Sequence, residues 1–256
     1  MSDIEKDYFE EITYRDALRL AMHDEMNENK NVIIMGEDVA KYGGAYGATK
    51  GLLDIFGENR VIDTPISEPS IIGASVGAAM TGLKPIAELM YVDFFGMSLD
   101  QIANQAAKIR YMFGGQTSVP MVLRAQGGTG RSGGAQHSQS LESWIMHIPG
   151  LYLVMPSKPC DAYHLLRKSI QLDDPVVFLE HKMLYNSKGS LDKKNIDTEF
   201  GKASIRLEGN DITIISYSRM VNIVEEAAIE LKKSNINAEV IDLRSLNPLD
   251  KESIIK

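Results

Sequence analysis

Glu68 stands in Asp63-Thr64-Pro65-Ile66-Ser67-Glu68-Pro69, after the apolar approach Arg60-Val61-Ile62 and ahead of the small-residue run from Ile71 to Met80. An acid at the mouth of a small-residue helix can be pressed against a flat ligand with little water around it, where a carboxyl group is suited to proton transfer. The same position suits a plain helix cap, and local physics leaves both readings open. A second acidic spot, Gly36-Glu37-Asp38-Val39, follows a buried strand and so falls at a strand's carboxyl end, where open α/β sheets bind ligands. A solvated turn fits it equally well. Glu88 lies inside Pro85-Ile86-Ala87-Glu88-Leu89-Met90-Tyr91-Val92, where a carboxylate must be paired, hydrogen-bonded or protonated. Asp93 and the pair Phe94-Phe95 close that strand; on local grounds the two rings read as core.

The other chemical segment is Arg124 to Ser138, with five glycines between positions 127 and 134. So many glycines let a backbone come close to a ligand. The segment has neither the Walker lysine-serine pattern nor a dinucleotide glycine fingerprint. His137, at its end, can act there as acid, base or anion stabiliser, although a flexible surface connection with a solvated histidine is the bland alternative.

The elements that must position these groups alternate. Thr13 to Asn27 carries a helical stripe of Ala17, Leu18, Ala21, Met22 and Met26, with Thr13 as N-cap. Short buried strands are predicted at 31–36, 60–63, 84–90, 119–124, 151–155 and 175–179, and helices at 70–82, 97–112, 139–147 and 159–171. This is the pattern of a doubly wound, mostly parallel α/β sheet. The domains expected are 1–190, closing on the turn-rich Asn186 to Ser190, a linker at 191–210 that opens polar and charged, and 211–256, a β-α-β unit that looks incomplete, its last strand lacking a neighbour.

The 256 residues carry a net charge of -8. That balance gives nucleic acid or an anionic membrane no basic face. The single cysteine, Cys160, excludes an intrachain disulfide and a multi-cysteine metal site and reads as a small buried residue. The acidic N-terminus lacks a signal peptide's apolar core, and the most apolar stretch, 71–83, is too short to span a bilayer. The expected location is the cytoplasm.

Several strings in register resemble the β subunit of the thiamine-diphosphate-dependent component of 2-oxo acid dehydrogenase complexes, the acetoin dehydrogenase branch included. They are Gly36-Glu37-Asp38-Val39, Tyr42-Gly43-Gly44-Ala45-Tyr46, Asp63 to Glu68, Val76 to Met80, Asp100-Gln101-Ile102, Gln136 to Ser140 and Leu243 to Asp250. The resemblance implies a pyrimidine-binding α/β domain followed by a transketolase-like C-terminal domain. It gives Glu68 the task of hydrogen-bonding a ring nitrogen of the cofactor's aminopyrimidine and favouring its imino tautomer. Phe94 would pack on the pyrimidine, Glu37 would join an acidic network beside the cofactor, extended by Glu88 and Asp93, and His137 would assist acyl transfer to lipoamide. A structural potassium ion is implied near Ser169, Ile170 and Asp174, with Leu172 departing from the family's oxygen-bearing residue. The Gly-Asp-Gly sequence that holds magnesium and the diphosphate in thiamine enzymes does not occur in the chain. The resemblance assigns that half of the site to an α subunit, in a two-α two-β heterotetramer that serves a lipoyl-bearing acyltransferase. Acetoin is the favoured substrate and pyruvate the alternative. A noncatalytic α/β binding module is the reading of a different class.

Overall fold

The computed structural model describes residues 10–194 and 198–256. In chain order the elements are β1 (Glu10–Thr13), α1 (Tyr14–Glu28), β2 (Val32–Gly36), α2 (Leu52–Phe56), β3 (Val61–Asp63), α3 (Glu68–Met80), β4 (Lys84–Leu89), α4 (Ile109–Met112), β5 (Val122–Gly127), α5 (Glu142–Met146), β6 (Tyr152–Val154), α6 (Pro159–Gln171), β7 (Val176–His181), β8 (Lys188–Leu191), β9 (Ser204–Leu207), β10 (Ile212–Ser216), α7 (Arg219–Lys232), β11 (Ala238–Asp242), β12 (Ser245–Asn247) and α8 (Lys251–Ile255).

Seven strands form the main sheet in the order β12-β6-β7-β5-β4-β2-β3. All neighbours are parallel except β12, which runs antiparallel along β6. Strand side chains alternate between faces, so Val122, Val176 and Phe178 point into one core while Leu123, Val177 and Leu179 point into the other. The first core is closed by α1 and α6, and the second by α3 and the segment from Val92 to Met112. Each fully buried aliphatic or aromatic side chain contributes about 1.5–3 kcal/mol. This double burial is why β2 reads as an unbroken apolar run and why β4, β5 and β7 are mostly apolar, each interrupted by a charged residue.

Helix α1 begins as its sequence predicts: the Thr13 hydroxyl oxygen accepts from the Asp16 N–H at 3.1 Å, and the stripe from Tyr14 to Met26 is buried. The predicted helix at 97–112 is broken instead into a 3-10 turn (Val92–Ser98), a π-helical turn (Gln101–Ala106) and the short α4. That at 139–147 shrinks to α5. Residues 191–210 are not all connection, because β9 lies among them and pairs antiparallel with β11. The strand expected to lack a neighbour, β11, therefore sits between β10 and β9. Leu243 and Leu246, flanking and within β12, bury into the second core of the main sheet. Among the described residues no helix is long and apolar enough to cross a membrane.

Candidate active site

The carboxyl ends of four parallel strands gather the acids, the aromatic rings and the histidine. Gly36 on β2 is in register with Asp63 on β3 and with Glu88 on β4, so the chain leaves these strands side by side. Asp63 accepts from the N–H groups of Ala40 and Lys41 at 2.6 and 3.2 Å, which fixes the turn carrying Glu37 against the approach to Glu68. Glu68 is the first residue of α3, and Pro69 beside it costs the helix no hydrogen bond there. Both acids are half-buried. Burial, then the neighbouring charges of Asp38 and Glu68, raise the Glu37 pKa above the usual carboxylate range. The Glu68 carboxylate thus lies close enough for its charge to be felt at Glu37.

Across β4 lies an aromatic corner. The His137 ring stands edge-on to Tyr91 at 4.6 Å and to Phe94 at 5.6 Å. Tyr91 also meets Tyr46 edge-on at 6.4 Å, and Tyr46 stacks on Tyr185 at 4.7 Å with the Arg131 guanidinium over its other neighbourhood, 5.1 Å from the ring centre. Phe94 is half-buried, unlike its neighbour Phe95, which is in the core. The local reading of both rings as core therefore holds for Phe95 and not for Phe94. Such a corner offers flat apolar surfaces and one titratable ring.

Glu88 is not a free acid beside a ligand. It is buried, and its Oε2 accepts from Arg124 Nη1 at 2.7 Å. The Arg124 guanidinium also binds Glu180 through Nε and Nη2, and the Tyr185 hydroxyl donates to Glu180 at 2.6 Å. Asp93 turns toward the glycine loop, accepting from the Ser138 and Gln139 N–H groups at 3.0 Å each. Sequence reasoning missed Arg124, Glu180 and Lys182 as partners. The available signal was charge inside otherwise apolar strands: Arg124 in β5 and Glu180 in β7 break buried runs just as Glu88 does in β4.

The potassium expectation fares differently. The Ser169 hydroxyl donates to the Leu165 carbonyl, and the Asp174 carboxylate pairs with Arg110. The carbonyls of Ile170, Gln171 and Leu172 all accept from the Lys84 ammonium, at 3.2, 2.8 and 3.2 Å. Those oxygens are already held by a cation of the chain itself, so the residues do not fit a potassium ion there. Among the described residues, no cluster of three His, Cys, Asp or Glu side chains is arranged to hold a metal.

For an aminopyrimidine the side chains do fit: a half-buried carboxylate on a helix's first turn, a second acid whose pKa is raised, and the half-buried ring of Phe94 in the turn that follows β4. A model of the transketolase pyrimidine-binding domain matches residues 10–188, and one of the transketolase C-terminal domain matches residues 201–256. The chain is 47% identical to the β subunit of acetoin:2,6-dichlorophenolindophenol oxidoreductase from Bacillus subtilis, over 95% of this chain and 75% of that one. It is 46% identical to the β subunit of 2-oxoisovalerate dehydrogenase from the same organism, over 96% and 75%. It is 45% identical to the mitochondrial pyruvate dehydrogenase E1 component subunit beta-1 of Arabidopsis thaliana, over 95% and 68%. A split-gene transketolase, solved as an inactive β4 tetramer, shares the fold at a TM-score of 0.79 with 22% identity, over 95% of this chain and 74% of that one. The chain belongs to the transketolase-like family, in the branch of β subunits of thiamine-diphosphate-dependent 2-oxo acid and acetoin dehydrogenase components.

Proposed function

We propose that the chain is the pyrimidine-activating β subunit of an acetoin dehydrogenase component, completed by an α subunit in a two-α two-β heterotetramer. The observation that carries this reading is Glu68 on the first turn of α3, electrostatically coupled to Glu37, with Phe94 and His137 gathered at a neighbouring strand end. Thiamine diphosphate, when bound, supplies the nucleophilic carbon that cleaves the substrate's carbon–carbon bond. Glu68 holds a proton between its carboxylate and a ring nitrogen of the pyrimidine, Phe94 packs on that ring, and Glu37 joins the acidic network beside it. His137 would assist the transfer by protonating the sulfur released when the lipoamide disulfide opens, the other sulfur taking the acyl group, on the acyltransferase partner. Magnesium and the diphosphate are held by the α subunit.

Exposed apolar side chains support a protein partner: Ile66, two residues before Glu68, is 73% exposed, and Tyr111 and Met112 on α4 are 85% and 74% exposed. Acetoin is the substrate proposed and pyruvate the alternative; relatives named for acetoin (47% and 45% identical), 2-oxoisovalerate (46%) and pyruvate (45%) are about equally similar, so the assay must decide. The location proposed is the cytoplasm. The test mixes the chain with its cognate α subunit, magnesium and thiamine diphosphate, and follows dye reduction with acetoin and with pyruvate. Glu68→Gln should lose nearly all turnover while still assembling. Full activity in that variant, or faster turnover of pyruvate than of acetoin, would overturn the role of Glu68 or the substrate assignment respectively.

A further inference from the structure

The glycine-rich loop closes on itself, because the Gly128 N–H donates to the Gln139 carbonyl at 2.9 Å. Its entry tolerates only glycine: a Cβ on Gly127 would lie 2.7 Å from Val92, and one on Gly128, whose φ is +83°, would lie 2.3 Å from His181 Nε2. The exit, where His137 sits, is gripped from two sides. Asp93 Oδ1 accepts from the Ser138 and Gln139 N–H groups, and the Lys182 ammonium donates to the His137 carbonyl. The Lys182 N–H also donates to the Gly127 carbonyl at 3.2 Å, so one residue touches both ends of the loop.

Lys182 is 1% exposed; the charge of Asp93 favours its ammonium without forming a salt bridge to it, and the charge of Arg131 opposes it. Burying a charge without a close counter-ion is costly, so its retention asks what it holds. Its Nζ lies 5.6 Å from the centre of the Tyr91 ring, the ring against which His137 stands edge-on. The second oxygen of Asp93 is buried with no hydrogen-bond partner, so this acid too is kept dry at the loop's exit.

We propose that Lys182 and Asp93 form a clamp as positioning residues for His137: between them they hold the His137 carbonyl and the Ser138 and Gln139 N–H groups and thereby keep the imidazole against Tyr91 and Phe94. The proposal rests on the reading of His137 as the group that meets the reacting acyl moiety. Without the clamp, a segment holding five glycines has little conformational preference of its own, and the imidazole leaves its working position. A misplacement of about 1 Å costs on the order of a hundredfold in rate.

The test uses the assembled α/β enzyme labelled with 13Cε1-histidine, the His137 signal being assigned through His137→Gln. In the unaltered enzyme that signal carries a ring-current shift from Tyr91 and Phe94. Lys182→Met and Asp93→Ala should each move it toward the position of a free histidine and lower kcat for acyl transfer on the order of a hundredfold, with KM little changed. Lys182→Arg, which keeps a donor for the His137 carbonyl, should retain the shift. A His137 signal that stays put in Lys182→Met and Asp93→Ala overturns the proposal, whatever the activity; if one of the two fails to fold, the other decides. Unchanged activity in His137→Gln would instead defeat the functional reading of that residue, while the resonance would still decide whether the clamp exists.

Discussion

Arg124 on β5 grips Glu180 on β7 with two parallel hydrogen bonds, Nε to Oε1 at 2.7 Å and Nη2 to Oε2 at 2.8 Å. The guanidinium has one more nitrogen, and it serves Glu88 on β4. Two buried acids therefore share one buried cation. Removing the cation leaves both acids uncompensated, which typically costs about 3–5 kcal/mol. Arg124→Met should lower the free energy of urea unfolding by that amount or prevent folding, and a variant of near-normal stability would show that the acids are already neutral.

Glu88 has the weaker share of that guanidinium. Burial is the main cause that raises its pKa, opposed by Arg124 and reinforced by the charge of Glu180. A carboxyl whose pKa is raised by folding contributes stability below its unfolded value, about 4.3, and that contribution is lost as pH rises through the folded value. Glu88→Gln should therefore flatten the decline in stability on the alkaline side of about pH 4.3. Denaturation at a series of pH values checks this. The same slope in both proteins would mean that Glu88 stays ionised throughout.

His181 has the opposite sign. Burial beneath Gly128, then the charges of Arg219 and Lys182, lower its pKa to about 4. Stability from a neutral histidine is present above its unfolded pKa, about 6.5, and is lost as pH falls through the folded one. The base of the glycine loop should loosen between about pH 6.5 and pH 4, and the ring should titrate near the lower end. A His181 resonance that titrates near pH 6.5 would contradict the packing against Gly128.

What could be read from the chain follows from how local each signal is. Helix α6 matches its predicted bounds, 159–171, because Pro159 opens it and the apolar stripe runs its whole length. Strand β2 was equally plain, with five buried residues in a row. The stretch 97–112 misled because its apolar residues approximate a helical period, whereas the chain tightens and widens there to lay Phe95, Ile102 and Ile109 on the second core. Strand β9 hid within a polar run, and only its partner β11, more than thirty residues on, makes it a strand. At the site, Glu68, Glu37 and His137 could be picked out by their surroundings in sequence. Lys182 could not, because its partner's carbonyl is 45 residues away and an ammonium beside apolar neighbours reads as surface.

Lys84 caps α6 through three carbonyls at once, which places a positive charge at the negative end of the helix dipole. Lys84→Met should cost up to about 2 kcal/mol of stability. The unaltered protein should melt at the same temperature in potassium and in sodium salts of equal ionic strength. A clear rise in potassium alone would show that an ion, and not Lys84, holds those oxygens.

The main sheet and the β9–β11 unit are joined by ion pairs. Arg206 on β9 bridges Asp161 on α6 and Asp242 on β11, reaching the latter at 2.7 Å, and Arg244 also donates to Asp161. Asp242 is buried with the Ser157 hydroxyl and the Arg244 N–H as its other donors, and burial raises its pKa. Arg206→Met removes the one guanidinium bound to Asp242, so the folded state must either protonate that acid or let water in by opening the junction. Amide exchange in β9, β10 and β11 should quicken, while β2, β4 and β5, buried within the main sheet, stay slow. Because a protonated Asp242 needs no cation, lowering the pH should recover part of the lost protection after correction for intrinsic exchange. Equal acceleration in both sheets would show that the junction has no separate opening, and that Arg206 supports the fold as a whole.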